Sequence, residues 1–284
     1  MAKVLIAGCG DIGIGLGKAL IEKGHSVVGL RRHPPAEKMG ILFLAADLTN
    51  PATLEGMDSD FDQVFFVAAP KQHDLYAYRE IYEAGLKNLF HTFSKNQHTP
   101  HWISVSSTSV YNQVHGEWVD EDSLTEPGKF NGQLQLLSEQ RVLAENKSNL
   151  IVRFSGIYGP GRRRMLRKVR QGGPIQFRPP YYTNRIHKED CIGVLMFLFE
   201  KRLTGTKLHS HYLASDDEPA PLWEVVSWLA KQLKCRHPEI KEADKDAAQS
   251  KRGCNKRLKE LGYRFQYPTY KEGYPQLIDE FDNS

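Results

Sequence analysis

The chain has 284 residues, a formal net charge of +4, 40% hydrophobic and 25% charged residues, which suits one large or two modest globular domains with a substantial core. The mild basicity fits anionic small molecules and is too weak to indicate nucleic acid. No apolar run approaches the ~18 residues that span a bilayer. Cys9, Cys191, Cys235 and Cys254 form no C-x-x-C, so neither a metal site nor a disulfide framework is expected. With no secretory leader read at its start, the chain is expected to be a reduced cytoplasmic protein.

Val4 to Ala7 is a short apolar run with β-branched residues, which predicts a strand buried on both faces. Gly8, Gly10 and Gly13 then spell G-x-G-x-x-G at its end, and Ile12, Leu16, Ala19 and Leu20 recur at helical spacing up to a stop at Gly24. In that strand–helix context the three glycines have separate tasks: a tight turn, close approach of a pyrophosphate, and close packing of helix on strand. Gly15 and Gly17 weaken the helix by about 1 kcal/mol each relative to alanine, so close packing or a ligand is expected to justify them.

Strands follow at Ser26 to Leu30, Ile41 to Ala45, Gln63 to Ala68, His101 to Val105 and Leu150 to Phe154. Between them lie a short helix with Asn50 as cap and Pro51 at its first position, a long helix with Ile81, Ala84, Leu89, Phe90 and Phe93 on one face, and another marked by Leu134, Leu137, Val142 and Leu143. Strand and helix alternate in the way of a doubly wound parallel sheet, the Rossmann α/β arrangement. After Gly159-Pro160-Gly161 come a basic helix (Arg162 to Gln171), a Pro/Tyr-rich loop (Gly172 to Asn184), a helix from Asp190 to Glu200, a strand from Tyr212 to Ala214 and a helix from Pro221 to Leu233. The division expected is a dinucleotide-binding domain of residues 1–160 plus 186–214, and a smaller mixed substrate-binding domain of residues 161–185 plus 215–284.

The end of the second strand reads the adenosine ribose, and an acidic residue there selects NAD. This chain has Arg31 followed by Arg32. Guanidinium groups pair with a 2′-phosphate, so NADP is favoured over NAD. Asp47 is placed to meet the adenine amino group, with Leu48 beside it, and Ala68 and Ala69 are small enough for adenosine to lie against the fourth strand.

Gly8-Cys9-Gly10-Asp11-Ile12-Gly13, Ala46-Asp47-Leu48, Val67-Ala68-Ala69, Ser106-Ser107-Thr108-Ser109-Val110-Tyr111, Arg153-Phe154-Ser155-Gly156-Ile157-Tyr158-Gly159-Pro160-Gly161 and Arg185-Ile186-His187-Lys188-Glu189-Asp190 occur in this order. The set, with a Leu-Gly-Tyr close at Leu261 to Tyr263, resembles the extended and atypical short-chain dehydrogenases/reductases, the NAD-dependent epimerase/dehydratase family. The resemblance implies cofactor contacts from Gly8, Gly10, Asp11, Ile12, Gly13, Arg31, Arg32, Asp47, Leu48, Ala68, Ala69, Gln135 and Ser155. It also implies a serine after the fifth strand, which falls on Ser107, and a Tyr-x-x-x-Lys pair on the next helix, whose lysine lowers the tyrosine pKa for proton exchange with a substrate hydroxyl.

Here the sequence departs from the family. Gly132 and Glu139 align with the family's segment, which puts Asn131 in the tyrosine slot and Gln135 in the lysine slot. Neither side chain ionises. Tyr111, His115, Lys129, Tyr158 and His187 remain as proton carriers, of which Tyr111 and His187 join Ser107 as the catalytic candidates. The basic run Arg162, Arg163, Arg164, Arg167, Lys168 and Arg170, with Arg178 and Arg185, is either a phosphate site for a nucleotide sugar, with Trp118 or Tyr181 stacking on its base, or a solvated helix face. The expectation is an NADP-dependent oxidoreductase or epimerase on a small hydroxyl- or carbonyl-bearing substrate; the alternative is a non-catalytic NADP(H)-binding redox sensor or interaction protein. Nucleic acid and membrane are not expected as partners, and monomer or homodimer is left open.

Overall fold

A computed structural model describes residues 1–37, 39–94 and 99–282. Its largest feature is a seven-stranded parallel sheet. Numbering only its strands and the helices around them, these are β1 (Lys3–Ala7), α1 (Asp11–Glu22), β2 (Ser26–Arg31), β3 (Leu42–Ala45), β4 (Gln63–Phe66), α2 (Leu75–Arg79), α3 (Leu86–Phe93), β5 (His101–Ser107), α4 (Phe130–Glu145), β6 (Leu150–Phe154), α5 (Lys188–Leu203) and β7 (His211–Ala214). The strand order is β7-β6-β5-β4-β1-β2-β3. Chain direction therefore reverses its walk across the sheet between β1 and β4, the switch point where open α/β sheets take ligands. The register there pairs Ala7 with Leu30 on one side and with Phe66 on the other.

The chain groups into two compact units. The first comprises Met1–Val110, Thr125–Arg153 and Ile192–Tyr212; the second comprises Tyr111–Leu124, Phe154–Cys191 and Leu213–Ser284. Alternation along the strands of the first unit sorts its core into two faces. Leu5, Ala7, Val64 and Phe66 join Leu86, Leu89, Trp102, Leu134 and Val142 in one cluster. On the other face Phe65 meets Phe199 of α5 edge-on at 5.7 Å. The glycines inside α1 are explained by packing: a Cβ on Gly15 would lie 2.3 Å from Ile192 Cδ1, and one on Gly17 would lie 2.6 Å from Ile41 Cδ1. Asn50 caps the turn Pro51–Leu54 by accepting from the Ala52 N–H. Between α2 and α3 the helix runs without a break through a π-helical turn, Glu80–Gly85.

Among the described residues the second unit contains short strands and the helices Arg164–Gln171, Leu222–Gln232, Lys256–Glu260 and Tyr270–Asp282, together with the first turn of α5. Gly156–Tyr158 pairs with Arg185–His187, and His115–Val119 pairs with Ser250–Gly253, both in parallel. The stretch read as a Pro/Tyr-rich loop contains two strands, Pro174–Gln176 and Tyr182–Thr183. Its core gathers Tyr158, Leu166, Val169, Val225, Leu229, Tyr270, Tyr274 and Leu277. Asp190 ties the Leu261–Tyr263 turn down, accepting from Tyr263 Oη at 3.0 Å, Gln266 N at 2.7 Å and Tyr267 N at 2.9 Å. No described helix is long and apolar enough to cross a membrane.

Candidate dinucleotide site

The site begins where β1 ends. Gly8 has φ +86°, and a Cβ there would lie 2.3 Å from Ala68 Cα, so β1 and the chain leaving β4 touch backbone to backbone. The N–H groups of Gly8 and Cys9 both donate to Leu30 O, at 3.1 and 2.9 Å, which locks the turn to β2. A Cβ on Gly13 would lie 3.1 Å from Ile6 Cγ2, bringing α1 onto the strand. Gly10 differs: the nearest atom to a Cβ there is Gly8 O, 3.8 Å away. Protein fills the space at Gly8 and Gly13 and leaves it open at Gly10.

Gly10 is also the N-cap of α1 and has no side chain with which to cap it. Asp11, Ile12 and Gly13 form the first turn, where backbone N–H groups and the positive end of the helix dipole favour an anion. The open cradle and this helix start together fit a diphosphate. The residues present therefore suit the dinucleotide that the motif implies.

At the end of β2, Arg31 is half-buried and Arg32 is exposed. Arg32 Nη1 lies 4.0 Å from Asp47 Oδ2. The other oxygen of Asp47 accepts from the backbone and the hydroxyl of Thr49, both at 3.0 Å, so Oδ2 alone remains for a further donor. Arg31 makes no ion pair among the described residues. Beneath this edge Cys9 is fully buried, and burial pushes its thiol up to about 11 against the opposing Arg31 charge. Leu48 and Ala68 are buried and Ala69 is exposed.

The helix α4 carries Asn131, Gln135 and Glu139 one turn apart on one face. A Cβ on Gly132 would lie 2.3 Å from Ser109 O, so the start of α4 rests directly on the turn after β5. In that turn Ser107 Oγ accepts from the Ser109 N–H at 3.1 Å, which leaves the Ser107 O–H as a donor. Gln135 Nε2 donates to Tyr82 Oη at 2.8 Å. Gln135 Oε1 and Asn131 Oδ1 are buried and have no hydrogen-bond partner in the protein. One turn further, Glu139 accepts from Ser106 Oγ at 2.5 Å and from Arg153 Nη2 at 2.6 Å.

The other candidates fall in the second unit, except Lys129, which belongs to the first. Tyr111 is buried and its hydroxyl donates to Asp120 O at 2.7 Å. Ser155 N donates to Ala214 O at 3.1 Å, and its buried Oγ has no partner in the protein. His187 is buried against Tyr267, ring centroids 3.8 Å apart. Burial, helped by the Lys188 charge, lowers its pKa to about 4, so the imidazole is neutral at physiological pH. Tyr158 stacks on Tyr274 at 4.7 Å. His115 and Lys129 are exposed.

The basic helix turns Leu166 and Val169 inward and Arg164, Arg167, Lys168 and Arg170 outward, and Arg170 pairs with Asp282. Arg185 is turned inward, its guanidinium 5.0 Å from the Tyr270 ring and 3.9 Å from Asp216.

Three parts of this geometry were not foreseen: Tyr82 as the partner of Gln135, Ser106 as the partner of Glu139, and the orphaned Asn131 oxygen. Ser104 and Ser106 alternate as buried polar residues in β5, a period-two pattern that flags inward-facing serines. Nothing local marks Tyr82.

A model of the NAD dependent epimerase/dehydratase family matches residues 4–190. Among solved structures, a protein described as an NAD-dependent epimerase/dehydratase from Methylobacillus flagellatus is 34% identical, with a TM-score of 0.84 over 99% of both chains. MoeE5 in complex with UDP-glucose and NAD superposes with a TM-score of 0.79 over 99% of both chains at 21% identity, a likeness of fold. A 2-alkyl-3-oxoalkanoate reductase from Stenotrophomonas maltophilia is 26% identical over 255 residues, covering 80% of this chain and 74% of the reductase.

Proposed function

Because this chain belongs to the NAD-dependent epimerase/dehydratase family, we propose that it binds NADP(H) in preference to NAD(H) and acts as an oxidoreductase or epimerase on a small hydroxyl- or carbonyl-bearing substrate. The open space at Gly10, over an α1 N-terminus that no side chain caps, carries this reading. The backbone around Gly10 to Gly13 would hold the diphosphate. Arg31 and Arg32 would hold the 2′-phosphate, Asp47 Oδ2 the adenine amino group, and Gln135 a ribose hydroxyl. Bound there, the nicotinamide supplies hydride transfer.

Ser107, with its oxygen already accepting from Ser109, keeps its O–H to orient a substrate oxygen. The residues 161–185 plus 215–284 are assigned to substrate recognition. The reductase relative supports a carbonyl substrate, and the fold shared with MoeE5 keeps nucleotide sugars among those to try. General acid–base catalysis contributes about 10²–10⁴-fold. Without ionisable groups at positions 131 and 135, turnover is expected to be slow.

The second reading, an NADP(H)-binding sensor without catalysis, is favoured by one group of observations. Asn131 and Gln135 cannot titrate, the Tyr111 hydroxyl donates to a carbonyl, and His187 is neutral. Thermal melts with NADPH, NADH and no ligand test binding; a ligand at a hundredfold its Kd adds about 2.7 kcal/mol. Nicotinamide absorbance followed against ketones, aldehydes and nucleotide sugars separates enzyme from sensor. Stabilisation by neither nucleotide would end both readings.

A further inference from the structure

Tyr82 lies in the π-helical turn Glu80–Gly85. Such turns shift side chains around the helix relative to α register and occur often at functional sites. Its ring is 3% exposed, packed edge-on to Phe66 at 6.5 Å and tilted against Tyr78 at 5.6 Å. Burial raises its hydroxyl well above the ordinary tyrosine range, so it stays protonated. Its oxygen accepts from Gln135 Nε2 at 2.8 Å, and Gln135 itself is only 8% exposed.

A primary amide has a donor end and an acceptor end. With the donor end committed to Tyr82, the acceptor end, Oε1, is buried without a partner. One turn earlier on the same face, Asn131 Oδ1 is orphaned in the same way. Two unmatched acceptors side by side on a helix that the family uses for cofactor and substrate call for a molecule that donates hydroxyl groups, since a buried acceptor without a donor is unfavourable.

We infer that Tyr82 is a positioning residue: it holds the Gln135 amino group and thereby leaves the Gln135 carbonyl oxygen to accept a hydrogen bond from a hydroxyl of the nicotinamide-side ribose of bound NADPH. The family's lysine is a donor at this position. Here the polarity is inverted, and the inversion depends on a residue 53 positions away. The inference rests on the proposed binding of NADP(H).

The test compares NADPH with 2′,5′-ADP, which keeps the phosphorylated adenosine and lacks the second ribose, by calorimetry on the full chain. Tyr82→Phe should weaken NADPH by about tenfold, the loss of one net hydrogen bond, and leave 2′,5′-ADP unchanged. Gln135→Met should do the same, and adding Tyr82→Phe to Gln135→Met should bring no further loss. Equal loss for both ligands, additive loss in the double variant, or no loss at all would overturn the inference while leaving NADP binding in place. Failure of the unsubstituted protein to bind either ligand would overturn the binding proposal and, with it, this inference. In the unsubstituted protein, which carries no folding liability, the Gln135 side-chain amide protons should stay protected from solvent exchange both free and with NADPH; loss of protection on binding would show the amide turning over and would also overturn it.

Discussion

Arg153 Nη2 sits 2.6 Å from Glu139 Oε2, and both side chains are buried. The pair joins α4 to β6, and Ser106 adds β5 through its own bond to Glu139. His211 Nε2, on β7, lies 3.6 Å from the same carboxylate. Four elements of the sheet layer thus meet at one anion, which fixes where along α4 the residues Asn131 and Gln135 stand.

Removing one partner of such a pair strands the other. Glu139→Ala should destabilise the fold by about 3–5 kcal/mol, read from denaturant unfolding. Burial alone would raise the Glu139 pKa, but the neighbouring His211, the hydrogen bonds from Arg153 and Ser106 and the Arg153 charge outweigh it and hold the carboxyl below its usual range. A depressed acid contributes stability that is complete above its unfolded value and is lost as pH falls through the folded one. Glu139→Gln should therefore flatten the acid limb of the stability profile. An unchanged limb would show that Glu139 is not the titrating group.

Asp216 carries the opposite sign. It is fully buried, and burial pushes its carboxyl up to about 8 although Arg185 opposes the shift. The folded state then holds a proton that the unfolded state has released above its ordinary value near 4, so stability falls as pH rises from there through 8. Asp216→Asn should be less sensitive to pH between 6 and 9 and should melt higher than the unsubstituted protein at pH 9. A lower melting temperature at pH 9 would mean that the ionised carboxylate is stabilising.

Arg31→Asp tests cofactor choice. Loss of one charge-assisted bond removes about 1.5–3 kcal/mol, or roughly ten- to a hundredfold in NADPH affinity, while the new carboxylate can accept from an unphosphorylated 2′-OH. The ratio of Kd for NADPH to Kd for NADH should rise by at least the first factor. A ratio that does not move would show that Arg31 does not contact the 2′-phosphate.

The glycines at the first turn should separate folding from binding. At Gly8 an added Cβ combines a left-handed backbone with a backbone clash at Ala68, so Gly8→Ala should lose about 3 kcal/mol or more of stability. Gly10 has φ −93° and open space. Gly10→Ala should lose at most about 1 kcal/mol as an N-cap change and yet abolish stabilisation by NADPH in the thermal melt. If both variants bind normally, the diphosphate does not lie at this turn.

The sheet was readable because its strands are short β-branched apolar runs, and the sixth, Leu150–Phe154, was predicted to the residue. The C-terminal helix Tyr270–Asp282 was not foreseen. It contains Gly273 and Pro275, which weaken any helical pattern, and the glycine is there because a Cβ would collide with the Tyr158 hydroxyl, 2.0 Å away. His115–Val119 was missed because its partner, Ser250–Gly253, is polar and lies over a hundred residues on. The glycine turn declared itself locally because it is made of backbone, whose requirements glycine spacing displays directly. The Gln135–Tyr82 contact could not, since its meaning depends on which end of an amide faces which neighbour.

Five times the chain passes from one compact unit to the other, at Val110, Leu124, Arg153, Cys191 and Tyr212. Neither half is a cassette. A protein engineer who wished to graft the second unit onto another nucleotide-binding scaffold would have to transplant three separate stretches at once, and a truncation at Leu124, Arg153 or Cys191 would leave both units incomplete. Exchange of the second unit as one continuous insert is therefore closed to this chain.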